Sequence, residues 1–118
     1  MNVEELRAYC LSLKGVDEGF PFGESTLVFK VMGKMFLACN LEWNPLAFNA
    51  KCEPEKAIEL REEYSGVQPG YHMNKKHWNT ITFDGSFDEE QAKRWIDESY
   101  QLVAASLTKK LKQELAEL

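Results

Sequence analysis

The chain has 118 residues, 44% hydrophobic and 28% charged, with a formal net charge of −5. That length suits one domain with a core large enough to need neither metal nor disulfides, and the composition excludes disorder and collagen-like structure. The acidic balance weighs against a protein that coats nucleic acid indiscriminately, and the lack of any run of about 18 apolar residues excludes a spanning helix.

The first residues, Met1-Asn2-Val3-Glu4-Glu5-Leu6, carry acids where a secretion signal carries bases. Asn2 and Glu5 fit a capping box, and Val3, Leu6, Cys10 and Leu13 recur at helical spacing before Gly15 stops the helix. Residues 16–24 hold Gly19, Pro21 and Gly23 and read as a loop that Phe20 and Phe22 anchor to the core. Residues 25–32 and 35–41 are strand-like around a tight Gly33-Lys34 turn. Residues 46–50 alternate again as a third strand.

Pro54 suits the first position of a second helix, lined by Ala57, Leu60, Arg61 and Tyr64 and ended by Ser65-Gly66. Residues 78–83 form a strand with a short partner near 71–73, and Asp84-Gly85 closes it. Asp88 and Gln91 cap a long third helix with a stripe of Ala92, Trp95, Ile96, Ser99, Leu102 and Val103. Thr108 caps a last short helix. The expected fold is α+β: a single domain over 1–118, two layers, a mostly antiparallel five-stranded sheet, and the order α-β(3)-α-β(2)-α-α.

A hairpin turning at Gly33-Lys34 pairs Phe29 with Ala38 and sets Leu27, Phe29, Val31, Phe36 and Ala38 under the helices. The other face then carries Val28, Lys30, Met32, Met35 and Leu37, more apolar than a solvated sheet needs. Met32, Met35 and Leu37 are therefore a candidate surface for a protein partner or a homodimer.

Charge is segregated. Residues 25–41, 43–52 and 65–83 hold no Asp or Glu but hold Lys30, Lys34, Lys51, Lys75 and Lys76. Strands are poor in acids anyway, yet five lysines without a compensating acid describe a mildly basic face opposite acidic helices. The run Gly70-Tyr71-His72-Met73-Asn74-Lys75-Lys76-His77-Trp78 is the densest part of it. Lysines contact phosphate and Tyr or Trp stacks on bases, so Lys34, Lys75, Lys76, His72 and His77 are the candidate nucleic-acid contacts. Trp78 is expected in the core.

Catalytic chemistry has no foothold. His72 and His77 lack a third metal ligand and an orienting acid, and no nucleophile elbow, phosphate loop or dinucleotide fingerprint is present. Cys10, Cys39 and Cys52 form no Cys-x-x-Cys pair. Cys10 and Cys39 sit in apolar surroundings and read as buried hydrophobes, and all three read as reduced thiols of a cytoplasmic protein, so no enzyme activity, metal or cofactor is expected.

The pattern His72-Met73-Asn74-Lys75-Lys76-His77-Trp78-Asn79-Thr80, with Asp84-Gly85-Ser86, Asp97-Glu98-Ser99-Tyr100, the opening Glu5-Leu6-Arg7-Ala8-Tyr9-Cys10 and Pro54 before the second helix, resembles the MmcQ/YjbR family along essentially the whole chain. The resemblance implies an α-β(3)-α-β(2)-α fold similar to type III secretion chaperones, and a DNA-binding or regulatory role through a double-wing arrangement. The Gly33-Lys34 hairpin and the 74–76 turn would be the wings. A chaperone-like protein-interaction module is the alternative.

Overall fold

The computed structural model describes residues 1–118. One antiparallel sheet carries four helices, and the sheet has six strands, one more than the sequence pattern suggests. In chain order the elements are α1 (Val3–Ser12), β1 (Val16–Gly19), β2 (Thr26–Val31), β3 (Lys34–Asn40), β4 (Ala47–Lys51), α2 (Pro54–Glu63), β5 (Val67–Pro69), β6 (Trp78–Thr82), α3 (Glu89–Ala105) and α4 (Lys109–Ala116). The sheet runs β1-β2-β3-β4-β6-β5. No helix is long and apolar enough to cross a membrane.

The helix starts follow local chemistry. Asn2 and Glu5 form the reciprocal capping box of α1, and Asp88 and Thr108 cap α3 and α4 through their side-chain oxygens. Pro54 occupies the first turn of α2, where its missing N–H removes no helix bond.

The extra strand is β1, in the segment that the sequence pattern describes as loop. Val-Asp-Glu-Gly has no apolar alternation to announce a strand; it pairs with β2 as a short, charged edge strand, a form that discourages pairing with another chain. Arg7 of α1 grips its Glu18 through two hydrogen bonds, which holds the Glu18 carboxyl below its usual range. Phe20 and Phe22 do not anchor the following loop to the core; they are 50% and 70% exposed. The short strand expected at 71–73 also differs: β5 lies earlier, at 67–69, and 70–77 is a loop. His72, in the left-handed region at φ 57°, and an Asx turn from Asn74 to the Lys76 N–H interrupt any extended run there.

The β2–β3 hairpin corrects the expected register in two steps. Its turn residues are Met32 and Gly33, both with positive φ, and Val31 lies opposite Lys34. Met32 adopts this conformation while its N–H is held by the Gly15 carbonyl at 3.0 Å. A bulge then intervenes: Lys30 faces Met35, but Phe29 faces Leu37, leaving Phe36 as the extra residue. Beyond the bulge the alternation of β3 is inverted. Leu37 turns in to the helices and Ala38 turns out, the reverse of the expected assignment.

Ser99 of α3 sits where β3 and β4 separate at this bulge. Its hydroxyl donates to the Phe36 carbonyl at 2.5 Å and accepts from the Lys51 N–H at 2.8 Å. Two backbone groups that the ladder leaves unpaired are thereby satisfied in a fully buried place. The Phe36 ring meets Tyr100 of α3 edge-on, so helix and bulge are locked together.

Helices α1, α2 and α3 pack on one side of the sheet. The core joins Leu6 and Cys10 of α1, Ala57 and Leu60 of α2, and Trp95, Ile96 and Val103 of α3 to Leu27, Phe29, Val31, Leu37, Phe48, Ala50, Val67 and Ile81. The three thiols are buried and free, and burial pushes Cys10 up to about 12 and Cys39 up to about 11. They are therefore inert protonated side chains at neutral pH.

Ser99→Ala leaves both the Phe36 carbonyl and the Lys51 N–H without a partner. A loss of about 1–3 kcal/mol of unfolding free energy is expected from chemical denaturation. A loss below a few tenths would mean that the bulge holds itself.

Candidate functional site

The sheet face away from the helices carries Thr26, Val28 and Lys30 of β2, Met35, Ala38 and Asn40 of β3, and Ala47, Asn49 and Lys51 of β4. It continues through Gln68 of β5 and Trp78, Thr80 and Thr82 of β6, as strand alternation and the pairings require. Asp17 of the edge strand, opposite Lys30, is the one carboxylate that the strands place on this face. The acids of α1, α2 and α3 lie on the other layer, so the segregation seen in the sequence becomes a difference between two sides of the molecule.

No helix covers this second face. Its cover is the 70–77 loop together with Trp43 and Phe22. The loop is pinned to the sheet from both sides. On the open side, the Thr80 hydroxyl accepts from the Tyr71 N–H at 2.9 Å and donates to Asn49 Oδ1, while Asn49 Nδ2 donates to the Tyr71 carbonyl at 3.2 Å. On the helix side, Arg61 of α2 donates from Nε to Asn79 Oδ1 at 2.7 Å and from its terminal nitrogen to the Lys75 and Trp78 carbonyls. Gly70 lies so close to Trp78 that a Cβ there would stand 2.9 Å from Trp78 backbone and side-chain atoms. Trp78 is buried, as expected, but on the open side of the sheet and outside the main core.

The pinned loop and the sheet enclose a groove in two adjoining halves. One is a cavity of about 330 Å³ whose lining includes Phe22, Met35, Ala38, Asn49, Tyr71 and Met73. The other, about 390 Å³ and more open, runs past Trp43, Pro45, Gln68 and Thr82. Trp43 and Tyr71 border both halves and meet edge-on, with ring centroids 5.7 Å apart. His72 stacks obliquely on Tyr71 at 4.1 Å. Tyr71 is 55% exposed, so its ring is offered to solvent.

The candidate contacts separate in space. Lys34 points to the helix layer, where its ammonium reaches the Ser106 carbonyl and hydroxyl at 3.3 and 3.4 Å, a favourable place for a cation at the end of α3. Lys75 bends back to donate to the Gly70 carbonyl at 3.0 Å. Lys76 is exposed, and His72 lines the enclosed half of the groove. His77 is half-buried, and its carbonyl accepts from the Cys52 N–H at 2.8 Å. No three His, Cys, Asp or Glu side chains converge in a metal-binding arrangement.

The expected partner surface of Met32, Met35 and Leu37 is not one surface. Leu37 is fully buried in the core because of the Phe36 bulge, Met32 packs beside Gly15, and only Met35 faces the groove. Sequence reasoning does not find Trp43, Asn49 or Thr80. Trp43 stands in a polar, Pro-containing turn, and the two polar strand residues signal a face that is not apolar core. That alternation is visible in the sequence, but the topology that joins it to residue 71 is not.

Comparison with known proteins places these features in a family. The YjbR family model matches residues 11–102. The chain is similar to the Escherichia coli (strain K12) protein YjbR, at 31% identity over all of both chains. It is also similar to YbdF of Escherichia coli O157:H7, at 35% identity over 91% of this chain and 88% of that one. Among solved structures, Deinococcus radiodurans protein DR2400, with a domain described as DUF419, superposes with a TM-score of 0.90 at 39% identity, covering 98% of this chain and 88% of that one. A Pseudomonas syringae protein at 24% identity shares the fold with a TM-score of 0.75, over 87% of this chain and 99% of that one.

Arg61→Ala removes the helix-side staple and leaves the Oδ1 of Asn79, a residue only 1% exposed, without its donor. The expected result is a loss of about 1–3 kcal/mol in denaturation, with amide exchange accelerated first in residues 70–77. Unchanged exchange there would mean that the loop does not depend on α2.

Proposed function

The chain belongs to the YjbR family, and from that premise we propose that it is a non-enzymatic nucleic-acid-binding module which holds a single strand along the open face of its sheet. The observation that carries this reading is the pairing of charge and shape on that face. A chain of net charge −5 keeps its strands there free of carboxylates except Asp17, and it sets an aromatic-rimmed groove among them.

Binding rests on two physical terms. Lys30 and Lys51, held on the open face by alternation, and Lys76 at the tip of the loop supply the attraction to phosphate. Tyr71 and Trp43 supply faces on which bases stack, a contact that every base can make. A single strand fits better than a duplex because the stacking rings border a groove, and paired bases keep their faces covered. The two wings suggested by the family resemblance are less suited to gripping a duplex, since the ammoniums of Lys34 and Lys75 bend back to carbonyls of the chain itself and keep only part of their donor capacity for phosphate. Nothing in the face supplies a nucleophile with a base beside it, so the reading is one of binding without turnover.

The test is fluorescence anisotropy with a labelled oligothymidylate and a hairpin duplex at two salt concentrations. The single strand should bind more tightly and weaken as salt rises. Lys51→Ala with Lys76→Ala should flatten the logarithmic salt slope by about 0.7 for each phosphate that is no longer neutralised. Tyr71→Ala should cost about 1–3 kcal/mol of binding at constant salt. Absence of binding at low salt, or tighter binding of the duplex, contradicts the proposal.

A further inference from the structure

The enclosed half of the groove differs chemically from the open half and from the lysines around it. Its lining contains no carboxylate, ammonium or guanidinium, and His72 is its one imidazole. Its walls are the rings of Phe22, Trp43 and Tyr71 and the thioethers of Met35 and Met73, and its floor is the small side chain of Ala38, 5% exposed, beside Asn49. A volume of about 330 Å³ falls at the lower end of small-molecule sites, which run from roughly 300 to 1,000 Å³.

The amides in this lining have a definite sign. Asn40 spends its Oδ1 on the Glu42 N–H at 2.9 Å, which leaves its amide nitrogen as a donor. Asn49 gives Oδ1 to the Thr80 hydroxyl and one N–H to the Tyr71 carbonyl, which leaves a second N–H. The same bonds fix the Asn49 amide and the Tyr71 backbone before any ligand arrives, so little ordering is required on binding. The cavity thus offers flat aromatic walls, no fixed charge and, from the Asn40 and Asn49 amides, hydrogen-bond donors on one side, beside the Thr26 hydroxyl, which can donate or accept.

We propose that this cavity is a pocket for one neutral, planar heteroaromatic ring that carries hydrogen-bond acceptors, ring nitrogens or exocyclic carbonyls, on one edge. The ring inserts between Tyr71 and the apolar wall of Phe22, Met35 and Met73, with its acceptor edge toward Asn40 and Asn49. The lack of a permanently charged lining group disfavours carboxylates, phosphates and amines, whose desolvation would go uncompensated. A nucleobase has this chemistry. It reaches the pocket either as one base of a bound strand, in which case the inference rests on the function proposed above, or as a free nucleoside or similar metabolite.

The test is a titration of the full ¹⁵N-labelled chain with uridine and with adenosine, read by ¹H–¹⁵N correlation spectra. The expected result is saturable shifts of the Trp43 indole N–H, the Asn40 and Asn49 side-chain amides and the Ala38 backbone amide. Ala38→Met fills the floor and should abolish them. Phe22→Ser, at a largely exposed rim position that does not endanger folding, should weaken binding several-fold. Absence of shifts at millimolar nucleoside, shifts centred on the helix layer, or undiminished affinity in Phe22→Ser overturns the pocket. An oligothymidylate that displaces the nucleoside identifies a strand base as the source, and one that binds without displacing it identifies a free metabolite. Nucleoside binding with no oligonucleotide binding keeps the pocket and removes the single-strand reading. Oligonucleotide binding with no nucleoside shifts does the opposite.

Discussion

The hydroxyl of Ser99 is the bond on which the arrangement of this sheet turns. It joins the Phe36 carbonyl of β3 to the Lys51 N–H of β4 at the point where the two strands part around a bulge. With the bulge in place, Phe36 and Leu37 both turn toward α3, and Ala38 turns away from it. Without it, strict alternation would drive Leu37 into the open face and bring Ala38 under the helices. The groove would lose its small floor, and the core would lose a leucine. One buried side chain therefore ties the packing of the helix layer to the shape of the surface opposite.

The second constraint is the double pinning of residues 70–77. Arg61 holds the loop from the helix side, and the chain Asn49–Thr80–Tyr71 holds it from the open side. Asn49 and Thr80 are buried and bonded both to each other and to the Tyr71 backbone, which makes the position of Tyr71 a property of the fold and not of a mobile loop. An exposed aromatic kept in place at low entropic cost is a feature of binding surfaces. The acids contribute by their location: with α1, α2 and α3 carrying most of them on the far layer, the open face stays neutral to basic within an acidic protein.

Much of this is legible from residues alone. The capping pairs at Asn2, Asp88 and Thr108, Pro54 in the first turn of α2 and the core stripe of α3 mark the helices because caps and periodicity are local signals. The acid-free segments mark the open face. The run from Gly70 to Trp78 stands out by its basic and aromatic residues, but its pattern suggests a hairpin with a short strand at 71–73 where the structure has a loop. What is not legible depends on distant partners. β1 is a strand by its pairing with β2. The Met32–Gly33 turn is set by a bond from Gly15, and the Phe36 bulge by a serine 63 residues further along. Lys34 has the sequence context of a wing lysine, but the end of α3 holds it. Phe22 has the character of a core residue, but its hydrophobicity says nothing about which side of the sheet it reaches.

The proposed working surface is the face opposite the helices. Photo-crosslinking of the full chain to a single strand containing bromodeoxyuridine, followed by peptide mapping, tests it most directly. Adducts are expected at Tyr71 and Trp43, on the peptides that flank the groove. Adducts concentrated on α2, α3 or α4, with none at these two residues, would contradict it.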